Sequence, residues 1–259
     1  MDFVKTIFAS KYGDGAVALN GSLFDTLLGK SLGGDTPAPV MPSKGDIIAV
    51  DMDGDGTAEN YLVLKEVGEG VYELLARASI GSGVFGSGTV YENNTLDVAL
   101  NTTYYATLSE TAKAAIIDKV LKQDAWYIGN QGSPMYKGTF VAGSTKRSYA
   151  VSLGNASFGN EISRHIYALS VQDIIDYLDV TTDMTWEDST LNTANVQEVF
   201  GSVGLVALRT TNAANGGGNN VLVIYTPFGN VDTTPPSSAL YYRPAFQLDL
   251  TKIEWTPVG

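Results

Sequence analysis

The stretch Tyr241–Leu250, YYRPAFQLDL, constrains the fold most. Strict alternation puts Tyr242, Pro244, Phe246, Leu248 and Leu250 on one face. Tyr241, Arg243, Ala245, Gln247 and Asp249 fall on the other, which is the two-residue period of a strand. Pro244 has no N–H, so it belongs at the strand's start or where no ladder bond is needed. Arg243 stands beside two tyrosines, whose rings a guanidinium can stack on while donating to several carbonyls. Two readings stay open: a surface arginine on an edge strand, or a partly buried arginine that pins a loop, with 226–240 as the loop in reach.

The rest of the chain supplies elements for such a strand to close. Asp46–Val50, Tyr61–Lys65 and Val71–Ala76 read as a three-stranded meander turned by Gly68-Glu-Gly70. Asn94 caps a short helix to Leu100, and Ser109 caps a second over Glu110–Ile117. Lys119–Ile128 and His165–Leu169 read as strands. Ser170 and Asp173 have capping-box spacing and open a helix over Val171–Leu178. Val203–Arg209 and Val221–Tyr225 are apolar strands around a Gly/Asn loop. The fold class expected is α+β, loop-rich, with short helices beside mostly antiparallel sheets over 46–259. Residues 1–45 differ. Apolar Phe3, Val4, Ile7 and Phe8 precede a short helix at Ser22–Leu28 and a Pro/Gly linker at 33–42. This arm either docks on a neighbouring subunit or packs on its own domain.

Chemistry is bounded by what the chain contains. It has no cysteine and one histidine, His165. Thiolate sites, cysteine nucleophiles and multi-histidine metal sites are therefore excluded. A net charge of −12 argues against nucleic acid as a partner. No apolar run approaches the ~20 residues of a membrane span, and no secretory signal is expected in MDFVKTIFASKYGDG. Gly81–Gly88 lacks the ending of a phosphate loop. His165, beside Arg164, reads as structural rather than catalytic. Glu187 and Asp188 beside Trp186 are the best carboxylate pair for a glycan hydrolase, and nothing in their spacing selects them.

One loop has the pattern of a metal site. Asp51, Asp53, Asp55 and Glu59 follow the strand–loop–strand calcium pattern DxDGDGxxD, with Gly56 at the sixth position. Leu62 at the twelfth position excludes an EF-hand. The competing reading is a plain polar turn, which Asp-Gly favours in any case.

Several segments together resemble a known family. YENNTLDVALNTTYYATLSETAKAAI (91–116), RHIYALSVQDIIDYL (164–178), VALRT (206–210), the Gly/Asn loop and YYRPAFQLDL are similar to an uncharacterised domain of bacterial surface and tailed-phage virion proteins. The resemblance covers roughly 46–255. The pattern also looks like the wider C-type-lectin-like group, which includes formylglycine-generating-enzyme-type domains and phage receptor-binding proteins. The resemblance implies a late-strand arginine that holds the loops, at Arg243 and less directly Arg209. The enzyme branch's reactive cysteines are missing here, as are the lectins' Glu-Pro-Asn and Gln-Pro-Asp motifs.

The function this implies is a non-enzymatic virion surface protein, either a capsid decoration, head-fibre or receptor-binding protein. It would be held to other virion subunits by residues 1–45 and assembled as a homo-oligomer. The alternatives are a purely structural cement protein and a bacterial adhesin. The expected ligand is a host-surface glycan or protein. Tyr and Asn give contact area and adaptable hydrogen bonds, which selects Asn212, Asn215, Asn219, Asn220, Tyr225 and Tyr241 as binding residues.

Overall fold

In the computed structural model the described residues are 40–123, 125–130, 147–152, 161–178, 199–201, 204–212, 220–225 and 230–259. The N-terminal arm, the Ser22–Leu28 helix, Asn215, Asn219 and the Trp186–Asp188 group lie outside them. Pro42–Gly259 makes up one of the chain's two units. Its architecture is α+β and sheet-rich, with short helices.

The expected meander is present. Ile47–Val50 pairs antiparallel with Glu59–Gly68, which pairs with Val71–Ala76. Tyr61, Leu62, Val63 and Leu64 are all buried, as are Tyr72 through Ala76, so both faces of these strands are covered. Gly70, with φ of +71°, makes the turn between them, a backbone region that glycine enters without steric cost. Thr256–Val258 adds an outer strand beside Ile47–Val50.

YYRPAFQLDL is not one strand. Leu240–Tyr241 belongs to a second sheet, beside Val206 on one side and Ser82–Gly83 on the other. Ala245–Asp249 belongs to the first sheet, between Val71–Ala76 and Ile116–Ile117. Tyr242, Arg243 and Pro244 cross from one to the other. The cause is local: Pro244 cannot donate, so the ladder stops there and restarts at Ala245. The first sheet therefore runs Thr256–Val258, Ile47–Val50, Glu59–Gly68, Val71–Ala76, Ala245–Asp249, Ile116–Ile117. The closing strand is internal, and Ala245, Phe246 and Leu248 are fully buried, which removes the edge-strand reading.

The second sheet runs Asn230–Thr234, Asn220–Tyr225, Leu205–Asn212, Leu240–Tyr241, Ser82–Gly83, and Ala125–Asn130 pairs with both Leu205–Asn212 and Arg147–Ser152. The expected strand over 119–128 is thus two strands. Lys119–Leu121 pairs instead with Ile162–Arg164. His165–Leu169 is not a strand; only Tyr167 forms a bridge, to Ala245.

The helix caps are where the sequence puts them. Asn94 Oδ1 accepts from Asp97 N at 2.8 Å, and Ser109 Oγ from Ala112 N at 3.1 Å. The first helix overruns Leu100, continuing through a π-helical turn at Ala99–Tyr104 to Thr107. The second stops at Ala115, because Ile116 and Ile117 are taken into the first sheet. Among the described residues no helix is long and apolar enough to cross a membrane.

Candidate functional site

Arg243 sits where the two sheets meet and is 2% exposed. Its Nε donates to Ala76 O at 2.6 Å, Nη1 to Phe200 O at 2.6 Å, and Nη2 reaches Val199 O at 3.5 Å. Among the described residues it holds these carbonyls and neither the expected tyrosine rings nor the expected loop over 226–240, of which 226–229 lie outside the described residues. Residues 199 and 200 have helical backbone, and Gly201 follows with φ of +68°. Arg243 thus answers carbonyls that a helix end leaves without intrahelical partners. Arg77 Nη1 shares Val199 O at 3.3 Å. Burial, with Arg77 close by, lowers the Arg243 pKa to about 10, so the guanidinium stays charged at neutral pH.

Arg209, the weaker of the two arginine expectations, is also buried. Nη1 donates to Ala168 O at 2.7 Å and meets Asp173 Oδ2 at 2.5 Å, with the guanidinium 5.7 Å from the Tyr167 ring centre. Asp173 is fixed by the capping box, Ser170 N to Oδ2 at 2.8 Å and its own N–H to Ser170 Oγ at 3.1 Å. Lys119 Nζ links Asp173 at 3.3 Å to Glu73 at 2.5 Å. Glu73 also accepts from Tyr167 OH at 2.6 Å, and its other oxygen lies 3.2 Å from Lys65 Nζ. Glu73 was not expected; its signal is a lone charge inside the apolar run Val71–Ala76. Burial alone would raise Asp173, but Arg209 and Lys119 outweigh it and hold the carboxyl well below the usual range.

A second carboxylate missed by sequence reasoning is Asp97, 2% exposed. Arg164 grips it bidentately, Nε at 2.8 Å from Oδ1 and Nη2 at 2.7 Å from Oδ2. Asn101 Nδ2 donates to it at 2.9 Å. The readable signal is the Asn94-x-x-Asp97 spacing of a cap; the Asp97 carboxylate in turn accepts from Asn93 N at 2.8 Å. Beside this pair, His165 Nδ1 meets Asp118, and the His165 ring stacks on Tyr105 at 4.3 Å.

In the 51–59 loop, Asp51, Asp53 and Asp55 offer oxygens that all lie within 4.8 Å of one another. Each is also used locally. Asp51 accepts from Gly54 N at 2.7 Å and Gly56 N at 2.9 Å, Asp53 from Asp55 N at 3.1 Å, and Asp55 from Thr57 N at 2.7 Å. Glu59 turns to Met52 N at 3.2 Å and is not in the three-carboxylate group. Burial raises the Glu59 pKa; the Met52 N–H opposes this, and Asp53 and Asp51 add to it.

Of the expected binding residues, Asn215 and Asn219 lie outside the described residues, and the other four fall at the two ends of one ladder. Asn212 pairs with Asn220 at one end of a ladder, and Tyr225 pairs with Leu205 at the other. Tyr241 stands near that second end, paired with Val206 and 41% exposed. From 205 to 212 the strand spans roughly 20 Å. Comparison with protein-family models, curated proteins and solved structures gave no match.

Two outcomes test these clusters. Replacing Arg243 with Ala strands buried carbonyls, at about 1–3 kcal/mol for each. Arg243→Lys does not restore stability, because one ammonium cannot span the same acceptors. Thermal unfolding of the three proteins in one buffer is the check, and melting within a degree of wild type would refute the clamp. For Asp173, the folded carboxyl stays ionised where the unfolded one takes a proton, near pH 4. Its contribution is therefore present above that pH and lost as pH falls toward the lowered folded value. Asp173→Asn should flatten the acid slope of stability and cost about 3–5 kcal/mol at neutral pH by leaving the buried Arg209 without its counter-charge, while Lys119 keeps Glu73. Urea melts across the acid range measure both effects.

Proposed function

We propose that the chain is a non-enzymatic surface component of a phage virion that displays a C-type-lectin-like domain. Residues 1–45 anchor it to other virion subunits, and it assembles as a homo-oligomer with a host-surface glycan or protein as its ligand. The observation that carries this reading is how the buried charge is used. Arg243 is spent on backbone carbonyls, Arg209 and Lys119 on Asp173, and Arg164 on Asp97. Such groups hold irregular segments in place rather than face a substrate, as suits a domain whose loops carry recognition. The resemblance of YYRPAFQLDL to the closing segment of that family supports the same reading.

The reading is tested on purified particles. The chain is expected on the outer surface at a fixed copy number, and deletion of residues 1–45 is expected to remove it. A chain recovered only from the unassembled fraction would defeat the proposal. Particles that lack it and fall apart would point to a cement role; intact particles that no longer adsorb would point to receptor binding.

Asp51, Asp53 and Asp55 are the residues that would hold calcium in the loop; Glu59, expected with them, turns to Met52 N instead. Three converging carboxylates repel one another, and a divalent ion relieves this while taking oxygens at the spacing such loops provide. When bound, the ion would stiffen the turn between Ile47–Val50 and Glu59–Gly68. Calorimetric titration with calcium, against Asp53→Ala, decides between calcium site and plain polar turn: the turn, favoured by the bonds within the loop, gives no heat, and heat in the wild type that vanishes in the variant would assign the ion.

A further inference from the structure

Two clefts were candidates for an unassigned binding site. The smaller, about 270 Å³, is lined by Asp97, Asn101, Arg164 and His165, whose polar atoms are largely taken up by one another or by Asp118. The larger, about 490 Å³, lies within the size range of ligand sites; Asp51 accepts within its own loop from Gly54 N and Gly56 N, so the carboxylate left open there is Glu254. It is lined by Ala49, Ala58, Ile253 and Trp255, with Asp51 and Glu254 as its carboxylates. Small side chains at 49 and 58 leave space over the sheet next to Trp255. Glu254 is exposed, and no hydrogen bond or ion pair occupies it among the described residues.

We propose that this groove seats a lysine or arginine side chain of a partner protein, its cationic head between Asp51 and Glu254 and its aliphatic stem along Trp255, Ile253 and the two alanines. Charge complementarity selects this occupant. The groove carries two carboxylates, and Asp53, Asp55 and Glu59 continue from Asp51 around the loop. With a divalent ion in the loop Asp51 would be engaged, and Glu254, outside the loop, would carry the cationic head. An indole attracts cations to its ring. The apolar floor selects a long side chain over a small cation, because lysine and arginine cover apolar surface with their stems while the head meets polar groups. The proposal does not depend on where the chain is displayed.

The test follows the indole N–H signals in protein labelled at tryptophan. The chain has three tryptophans, and the Trp255 signal is assigned with Trp255→Phe. Titration with Nα-acetyl-arginine amide is expected to move the Trp255 signal saturably. Glu254→Gln, an exposed and isosteric change, should weaken binding about two- to fivefold, and high salt should weaken it further. No movement of the Trp255 signal would overturn the proposal. So would movement with methyl glucoside but not with the arginine probe, or arginine binding indifferent to both Glu254→Gln and salt.

Discussion

A guanidinium cannot lose its charge at neutral pH, and burying one is tolerated only where its donors are met. At Arg243 that condition decides how the molecule is joined. The residue lies in the three-residue crossing between the sheets, and its donors reach Ala76 at the end of one strand and Phe200 at a helical end. Ala76 N is in turn bonded to Pro244 O at 2.9 Å, so the crossing is tied to the first sheet by backbone and side chain together. Tyr242 adds a third tie, its hydroxyl donating to Val84 O at 2.5 Å.

A second buried cluster works on different terms. Glu73, Lys119, Asp173 and Arg209 come from a strand of the first sheet, a strand of the two-stranded sheet, a helix and a strand of the second sheet. An apolar cluster in the same place could match its stability, since desolvation offsets much of the attraction between buried charges. What an ion network supplies is geometry. Each carboxylate oxygen has a defined cation or hydroxyl, which fixes the relative placement of four elements that share few ladder bonds.

Sequence reading succeeded where cause and effect lie close along the chain. The caps at Asn94, Ser109 and Ser170 rest on a side chain and a backbone N–H three residues apart. The meander rests on adjacent alternating runs and a glycine turn. The burial of Arg243 could be suspected from its neighbours, but its acceptors lie 167 and 43 residues away, and no local pattern encodes them. The break at Pro244 was legible in principle; alternation running straight through the proline concealed it. Asn212 and Tyr225 share a composition suited to recognition, yet composition carries no position, and they sit at opposite ends of one ladder. Trp255 gave no signal because it shares its groove with Ala49 and Ala58, one on the strand Ile47–Val50 and one in the loop before Glu59, both far from it in sequence.

The internal place of Ala245–Asp249 has a bearing on how the protein is made. Val71–Ala76, with Leu74 and Leu75 completely buried in the finished molecule, leaves the ribosome long before the strand that covers its outer side. Until residue 249 emerges, the meander presents an unpaired apolar border, the kind of surface that recruits other chains. Pairing so distant in sequence is slow to form. The nascent chain therefore carries this apolar strand edge uncovered until Ala245–Asp249 is there to pair with it.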